Sequence, residues 1–360
     1  MSTTDLSTTA AMSAIVPARS AGRPKSTVLR DLKERFILFL LVLCGAITIG
    51  ITLLIVIILA QQAAGFFSPG ITDIQGHVYD LSLTDFLFDL QWNPLIGSER
   101  HFGIWPLVVG TFQVTIVAMI IAIPLGLMVA IWLSEYASPR VRAVVKPLIE
   151  IIAGIPTVVF GFFALTFVTP LLQSVVHPAI AWLNGSSLWL SLFDPIGFRI
   201  EIFNVLAAGI CVGIMCIPIV TSLSEDALRA VPRALREGSY GLGASRFETA
   251  VKVVFPAALS GIVAACLLSF ARAVGETMIV AIAAGLNPPE IHRGVGTVFA
   301  VNEPTQTMTG FMVSVFFGDM QAHTIEYQSV YAVGMTLFVI TLGITLVGAL
   351  IRRRFRQQYE

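Results

Sequence analysis

Six apolar stretches, each long enough to cross a bilayer as a helix, constrain this 360-residue chain more than anything else in it. A hydrocarbon core needs ~20 mostly apolar helical residues per crossing, and inside it backbone polar groups must be satisfied within the segment. The stretches run from about Phe36 to Ala60, Leu107 to Leu133, Val144 to Leu171, Ile202 to Leu223, Ala257 to Leu286 and Tyr331 to Ile351. Charged residues make up only 12% of the chain and hydrophobic ones 56%. A soluble domain carries about a quarter charged residues, so a water-soluble fold is excluded. The expectation is an all-α membrane protein with six transmembrane helices.

Orientation follows from where Lys and Arg fall, because cytoplasmic loops retain an excess of both. Eighteen of the 22 lie in the N-terminal tail, the loops after spans two and four, and the C-terminal tail. The alternate loops hold only Arg100, Arg199 and Arg293. Both termini are therefore expected in the cytoplasm. Four regions follow: a disordered basic tail at 1–35, the first helix with its exoplasmic loop at 36–104, a core at 105–351, and a basic tail at 352–360. The first apolar run starts too late and is too long for a cleavable signal. With a net charge of zero, nothing points to nucleic acid.

Signatures of soluble enzyme chemistry are missing. No Gly-Lys dipeptide occurs, so the phosphate-cradling GxxxxGK[ST] loop is absent, as are HExxH and GxSxG. Cys44, Cys211, Cys216 and Cys266 all fall in apolar stretches without CxxC spacing. The histidines are read as solvated loop residues. No catalytic residue, metal or cofactor is expected in this chain. If ATP and Mg are used, another chain binds them.

The exoplasmic loops carry aromatic patches, such as Phe86 to Trp92, Trp182 with Trp189 and Phe193, and Phe311 with Phe316 and Phe317. They suit an aromatic belt at the membrane interface or a docking face for an external protein. Met308 to Met320 is too short to cross and is expected as a re-entrant or surface helix.

The cytoplasmic segment 224–256 has local signals of its own. Pro232 suits the first turn of a short helix, and Gly243 suits the left-handed residue that ends it. Ser245 and Glu248 have capping-box spacing and start a second short helix. Pro256 is expected to break the pattern before span five. Two short helices around a glycine bend suit insertion into a groove on a partner.

Charges inside the membrane are rare enough to be informative. Arg272 and Glu276 fall within span five, where an arginine costs ~2.5–3.5 kcal/mol on insertion scales. Spacing of four puts them on one helix face, close enough to pair. One reading gives Arg272 a fork of donors for an oxyanion such as phosphate, with Glu276 holding it. The other makes the pair a structural lock. Glu150, near the cytoplasmic end of span three, is expected to snorkel or to pair with a loop cation. Pro124, Gly154, Pro156 and Gly161 are expected to allow kinks and close helix packing.

Several pieces resemble a known family. The loop motif E-A-A-x3-G-x9-I-x-L-P of ABC importer permeases is matched in spacing by Glu237-Gly238-Ser239, Gly243 and Val253-Val254-Phe255-Pro256. The stretches Phe102 to Pro106, Pro124-Leu125-Gly126, Glu150 to Gly161, and Arg272-Ala273-Val274-Gly275-Glu276-Thr277 resemble phosphate-importer permeases of the PstC type. Trp92-Asn93-Pro94 favours PstC over its sibling PstA, and Thr345 departs from an expected asparagine. The resemblance implies a type I ABC importer permease fold in a bacterial inner membrane. It implies a translocation path for phosphate, and a coupling loop that includes Glu237, Gly243, Ser245 and Pro256. The implied partners are an ATP-binding ABC subunit dimer, a PstA-like second permease forming a heterodimer, an exoplasmic phosphate-binding protein, and membrane lipid. Alternatives are a permease for another oxyanion, a proton-coupled transporter using Glu150 and Glu276, and a scaffold with no transport role.

Overall fold

The computed structural model describes residues 25–72, 77–94, 100–184, 199–291, 298–318 and 324–354. Most of the two basic tails, together with Trp189, Phe193, His292, Arg293, Met320 and His323, lies outside the described residues. Two compact units divide the chain, 1–58 and 59–360. Helix α1 (Lys25–Phe66) supplies the described part of the first, and its end belongs to the second. Side chains such as Phe36, Leu38 and Ile49 on α1 are exposed and apolar, as a helix in lipid requires.

Among the described residues, six helical runs are long and apolar enough to cross a membrane: Arg30–Phe66, Trp105–Tyr136, Thr157–Pro178, Val205–Ala230, Arg246–Val274 and Ile325–Ile351. Their number agrees with the sequence reading. Their interiors differ from it in three places, each with a local cause.

The second run is α3 (Trp105–Ile131) followed by a turn of π-helix at Trp132–Tyr136. Pro124 lies inside α3 without interrupting it. The third is not one helix from Val144. Helix α4 (Pro139–Ala153) ends at Gly154, and Pro156 precedes α5 (Thr157–Phe163). A proline biases the residue before it away from the helical region, so Gly154-Ile155-Pro156 makes a full break where a kink was expected. A π turn at Ala164–Val168 joins α5 to α6 (Thr169–Asn184). Gly161 packs against Ile282 and Met278.

Helix α7 (Val205–Ala230) starts at the N-cap Asn204, whose side chain accepts from Ala207 N. It runs past the predicted end at Leu223, so Ser224, Glu225 and Asp226 belong to a helix. Helix α7 packs against α3 along its length. Gly209 and Gly213, four residues apart, admit Val117 and Ala118, and Gly126 of α3 faces Val220. This is the small-xxx-small solution for bringing two membrane helices close. Ala118, Ala122, Ala208, Cys211 and Val212 are fully buried there.

After α7 come α8 (Arg233–Gly241) and α9 (Arg246–Thr249). A π turn at Ala250–Val254 then runs into α10 (Phe255–Val274). Pro256 therefore does not break the chain before span five. It has no N–H to give and would collide with the carbonyl four residues back. The wider π turn just ahead, in which Phe255 N donates to Ala250 O, makes room for it.

Helices α11 (Met308–Phe317) and α12 (Ile325–Arg354) complete the chain. Met308 and Phe311 are fully buried, so α11 is no surface helix, although Phe317 is exposed. Near the start of α3, the short pairs β1 (Ile71–Thr72) with β2 (Val78–Tyr79) and β3 (Trp92–Asn93) with β4 (His101–Phe102) are antiparallel. Between them, α2 (Leu83–Phe88) carries a capping box from Ser82 and Asp85. Part of the predicted aromatic belt is a core. Phe66 meets Phe67, Phe86 and Phe102 edge to face at 5.1, 5.8 and 5.5 Å, and Trp92 meets Phe311 at 4.9 Å. Phe88 alone of that patch's aromatic rings stays exposed. A buried Arg100–Glu326 ion pair ties this layer to the start of α12. Two histidines are not loop residues: His101 lies in β4 beside Asp89, and His177 lies in α6 and accepts from Ile200 N.

Candidate functional site

Span five is interrupted where its charges lie. Helix α10 ends at Val274, Gly275 caps it, and helical turns resume only at Met278. Arg272 occupies the last turn of α10, where the carbonyl end of the helix dipole favours a cation. Glu276 sits in the gap, so the two are not on one continuous helix face as expected. They still meet: Arg272 Nη1 lies 3.5 Å from Glu276 Oε2. The partners differ sharply in surroundings, with Arg272 47% exposed and Glu276 buried. Neither carboxylate oxygen of Glu276 has a hydrogen-bond partner among the described residues. Cys216 Sγ lies 3.8 Å from Ser269 O, which sets Arg272, one turn further on, beside the middle of α7. The arrangement is a fork of charged donors, half open, steadied from one side by a buried carboxylate.

A polar band on α3, which the sequence reading missed, holds the segment that bonds to the backbone of Glu276. Gln113 Nε2 donates to Val298 O at 2.8 Å, and Thr305 Oγ1 donates to Gln113 Oε1 at 3.2 Å. Thr111 Oγ1 accepts from Met308 N at 3.0 Å. These bonds hold the start of α11 so that Thr309 Oγ1 donates to Glu276 O at 2.5 Å. The available signal was Thr111 and Thr115, polar and four apart in an apolar helix.

The second element is an elbow beyond the ends of α3 and α7. Gly243 has φ +84°, a left-handed conformation that side chains with a Cβ rarely adopt. Ser245 Oγ accepts from Glu248 N, and Glu248 Oε2 accepts from Ser245 N, which completes the capping box. Ser239 and Thr249 hydroxyls, 2.9 Å apart, join the two arms. No residue of α8 is buried, and Glu237 is exposed on it. Leu242 is 92% exposed and Phe247 67%, so the tip of the elbow presents apolar side chains outward.

Arg236 fastens the elbow to the core. Its Nε and Nη2 donate to Glu135 at the end of α3, and Nη1 and Nη2 donate to the carbonyls of Val231 and Leu228. Beside it, Glu225 is fully buried and receives Arg142 at 2.7 Å and Lys146 at 2.8 Å. Lys146 also meets Asp226 at 2.5 Å. Burial of Lys146 works against its charge. Hydrogen bonds and charge from Asp226 and Glu225 outweigh that and hold its pKa above the usual 10.5. Among the described residues Glu150 pairs with no cation; its Oε1 accepts from Ser222 Oγ at 3.1 Å. Arg142, Lys146 and Glu150, spaced by four, thus form a ladder from α4 to α7.

Comparison with known proteins agrees with this architecture. Residues 122–357 match the family described as binding-protein-dependent transport system inner membrane component. The chain is 32% identical over 309 residues to the probable ABC transporter permease protein YqgH of Bacillus subtilis, covering 84% of this chain and 89% of the relative. It is 32% identical over 266 residues to the phosphate transport system permease protein PstC of Mesorhizobium japonicum, covering 73% and 76%. A solved bacterial ABC transporter involved in the import of the acidic polysaccharide alginate shares the fold. Its TM-score is 0.54 at 16% identity, over 92% of this chain and 100% of that one. With the family match covering more than half of its length, the chain belongs to the binding-protein-dependent transport system inner membrane components.

Proposed function

We propose that this chain is the inner-membrane permease subunit of an ATP-driven importer of inorganic phosphate, and that Arg272 and Glu276 line its path. The observation that carries the reading is the half-exposed Arg272 at mid-bundle, steadied by a buried carboxylate. An oxyanion crossing a low-dielectric region needs a charged donor that is held in place yet not fully engaged. The names of the PstC relatives favour phosphate as that oxyanion. Glu237, Gly243, Ser245 and Pro256 belong to the element that couples the permease to its motor. The apolar tip at Leu242 and Phe247 enters a groove of an ATP-binding subunit, which supplies ATP and Mg chemistry from its own residues. A PstA-like permease and an exoplasmic phosphate-binding protein complete the assembly, and both termini of this chain face the cytoplasm.

Radiolabelled phosphate uptake in cells lacking and regaining the chain tests this. Arg272→Gln removes a charge-assisted contact worth ~1.5–3 kcal/mol, so uptake should fall roughly ten- to hundred-fold while the complex still co-purifies. Normal uptake by that variant rejects the path assignment. Uptake that survives poisoning of ATP hydrolysis but collapses with a protonophore favours the proton-coupled alternative.

A further inference from the structure

A cavity of about 1010 Å³ opens between the end of α3, the start of α4, the end of α7, and α8. Its wall carries six cations: Arg142, Lys146, Arg229, Arg233, Arg236 and Arg246. Three are engaged, Arg142 and Lys146 by Glu225 and Arg236 by Glu135. Arg229 reaches Glu225 only at 3.9 Å, and Arg233 and Arg246 have no ion-pair or hydrogen-bond partner among the described residues. The carboxylates on the wall, Glu135 and Glu150, do not balance this charge, because Arg236 takes the first and Ser222 donates to the second. The wall also includes the N-terminal end of α4, a 15-residue helix capped by Ser138, whose dipole adds to the positive potential. A concave site walled by unmatched guanidinium groups and a helix N-terminus is built for an anion with several acceptor oxygens.

We propose that this cavity binds a phosphate group, with Arg233 and Arg246 as its unengaged donors and Arg229, loosely paired with Glu225, beside them. Two sources share that chemistry, free inorganic phosphate and the headgroup of an anionic phospholipid. The site is separate from Arg272, which lies further along the bundle beside the middle of α7.

The test uses the full-length chain carrying Arg272→Gln, reconstituted in nanodiscs of phosphatidylcholine alone or with phosphatidylglycerol. Labelled inorganic phosphate and retained phosphatidylglycerol are the two probes. The proposal expects saturable binding of at least one of them. It expects that binding to fall about ten-fold or more in Arg233→Ala/Arg246→Ala and to return in Arg233→Lys/Arg246→Lys. Phosphate binding in phosphatidylcholine alone identifies the free anion; retention of phosphatidylglycerol without phosphate binding identifies the headgroup. Both arginines are exposed and unpartnered, so the chain should fold without them, and Arg229→Ala gives an independent third reading. Binding of both probes unchanged across these variants, or a loss that lysine does not restore, overturns the proposal. Because the readout is equilibrium binding without Arg272, it fails or succeeds separately from the uptake experiment.

Discussion

Arg236 donates to both carboxylate oxygens of Glu135, a residue 101 positions away, and to two carbonyls at the end of α7. Truncating it leaves a nearly buried carboxylate with no cation and only the Ser134 hydroxyl as a donor, and takes one donor from each of two carbonyls. Arg236→Ala should therefore cost about 3 kcal/mol, near the low end for breaking a buried pair, since the guanidinium is partly exposed. A lower unfolding midpoint in detergent, with a smaller drop for Glu135→Gln, is the expected pattern; equal midpoints would refute the fastening role. Lys146 gives a prediction in pH. Its pKa is raised in the fold, so its contribution is whole at neutral pH and is lost as pH climbs through a value above 10.5. A midpoint-against-pH curve should show that alkaline fall in the parent, and Lys146→Met should flatten it. Arg272 and Glu276 were legible in the sequence because charge within an apolar run is costly. Arg236 and Glu225 were not, because basic loops are expected on topological grounds and their partners are distant in the chain.

Helix interruptions follow the same division between local and distant information. The elbow was readable, since Gly243, Ser245 and Glu248 act within a few residues of one another. At Gly154–Pro156 the sequence offered a kink and the fold makes a full break, whereas the break after Val274 and the π turn ahead of Pro256 were not readable, because apolar length alone says nothing of continuity. The pairing of α3 with α7 lay in between. Gly209 and Gly213 have the spacing of a helix contact, yet only the fold shows that Val117 and Ala118 fill it. A Cβ at Gly213 would come within 2.9 Å of Ala118 O, so backbone must shift. Gly213→Val should cost about 1–3 kcal/mol by overpacking. Size-exclusion profiles after graded heating would register this as earlier aggregation. A profile like the parent's would mean the two helices are not pressed together there.

At the scale of the whole molecule, α7 is the axis of the second unit, with 67% of its most apolar window buried against 11% for α12. Much of the apolar surface elsewhere therefore needs lipid or another protein to cover it. In the proposed orientation six crossings put both ends on one side, and eighteen cations against three mark that side, with the elbow, as cytoplasmic. The spans could be counted from sequence because each must be long and apolar on its own, whereas the way they pack depends on pairs far apart in the chain. The sidedness has a direct consequence. A green fluorescent protein fused after Glu360 should be bright in intact cells, and alkaline phosphatase fused at the same point should be inactive. The same phosphatase inserted between Thr72 and His77 should be active. An active phosphatase at the C-terminus would turn the molecule over. Leu242 and Phe247 would then face a compartment without ATP, and the elbow could not engage a nucleotide-driven motor.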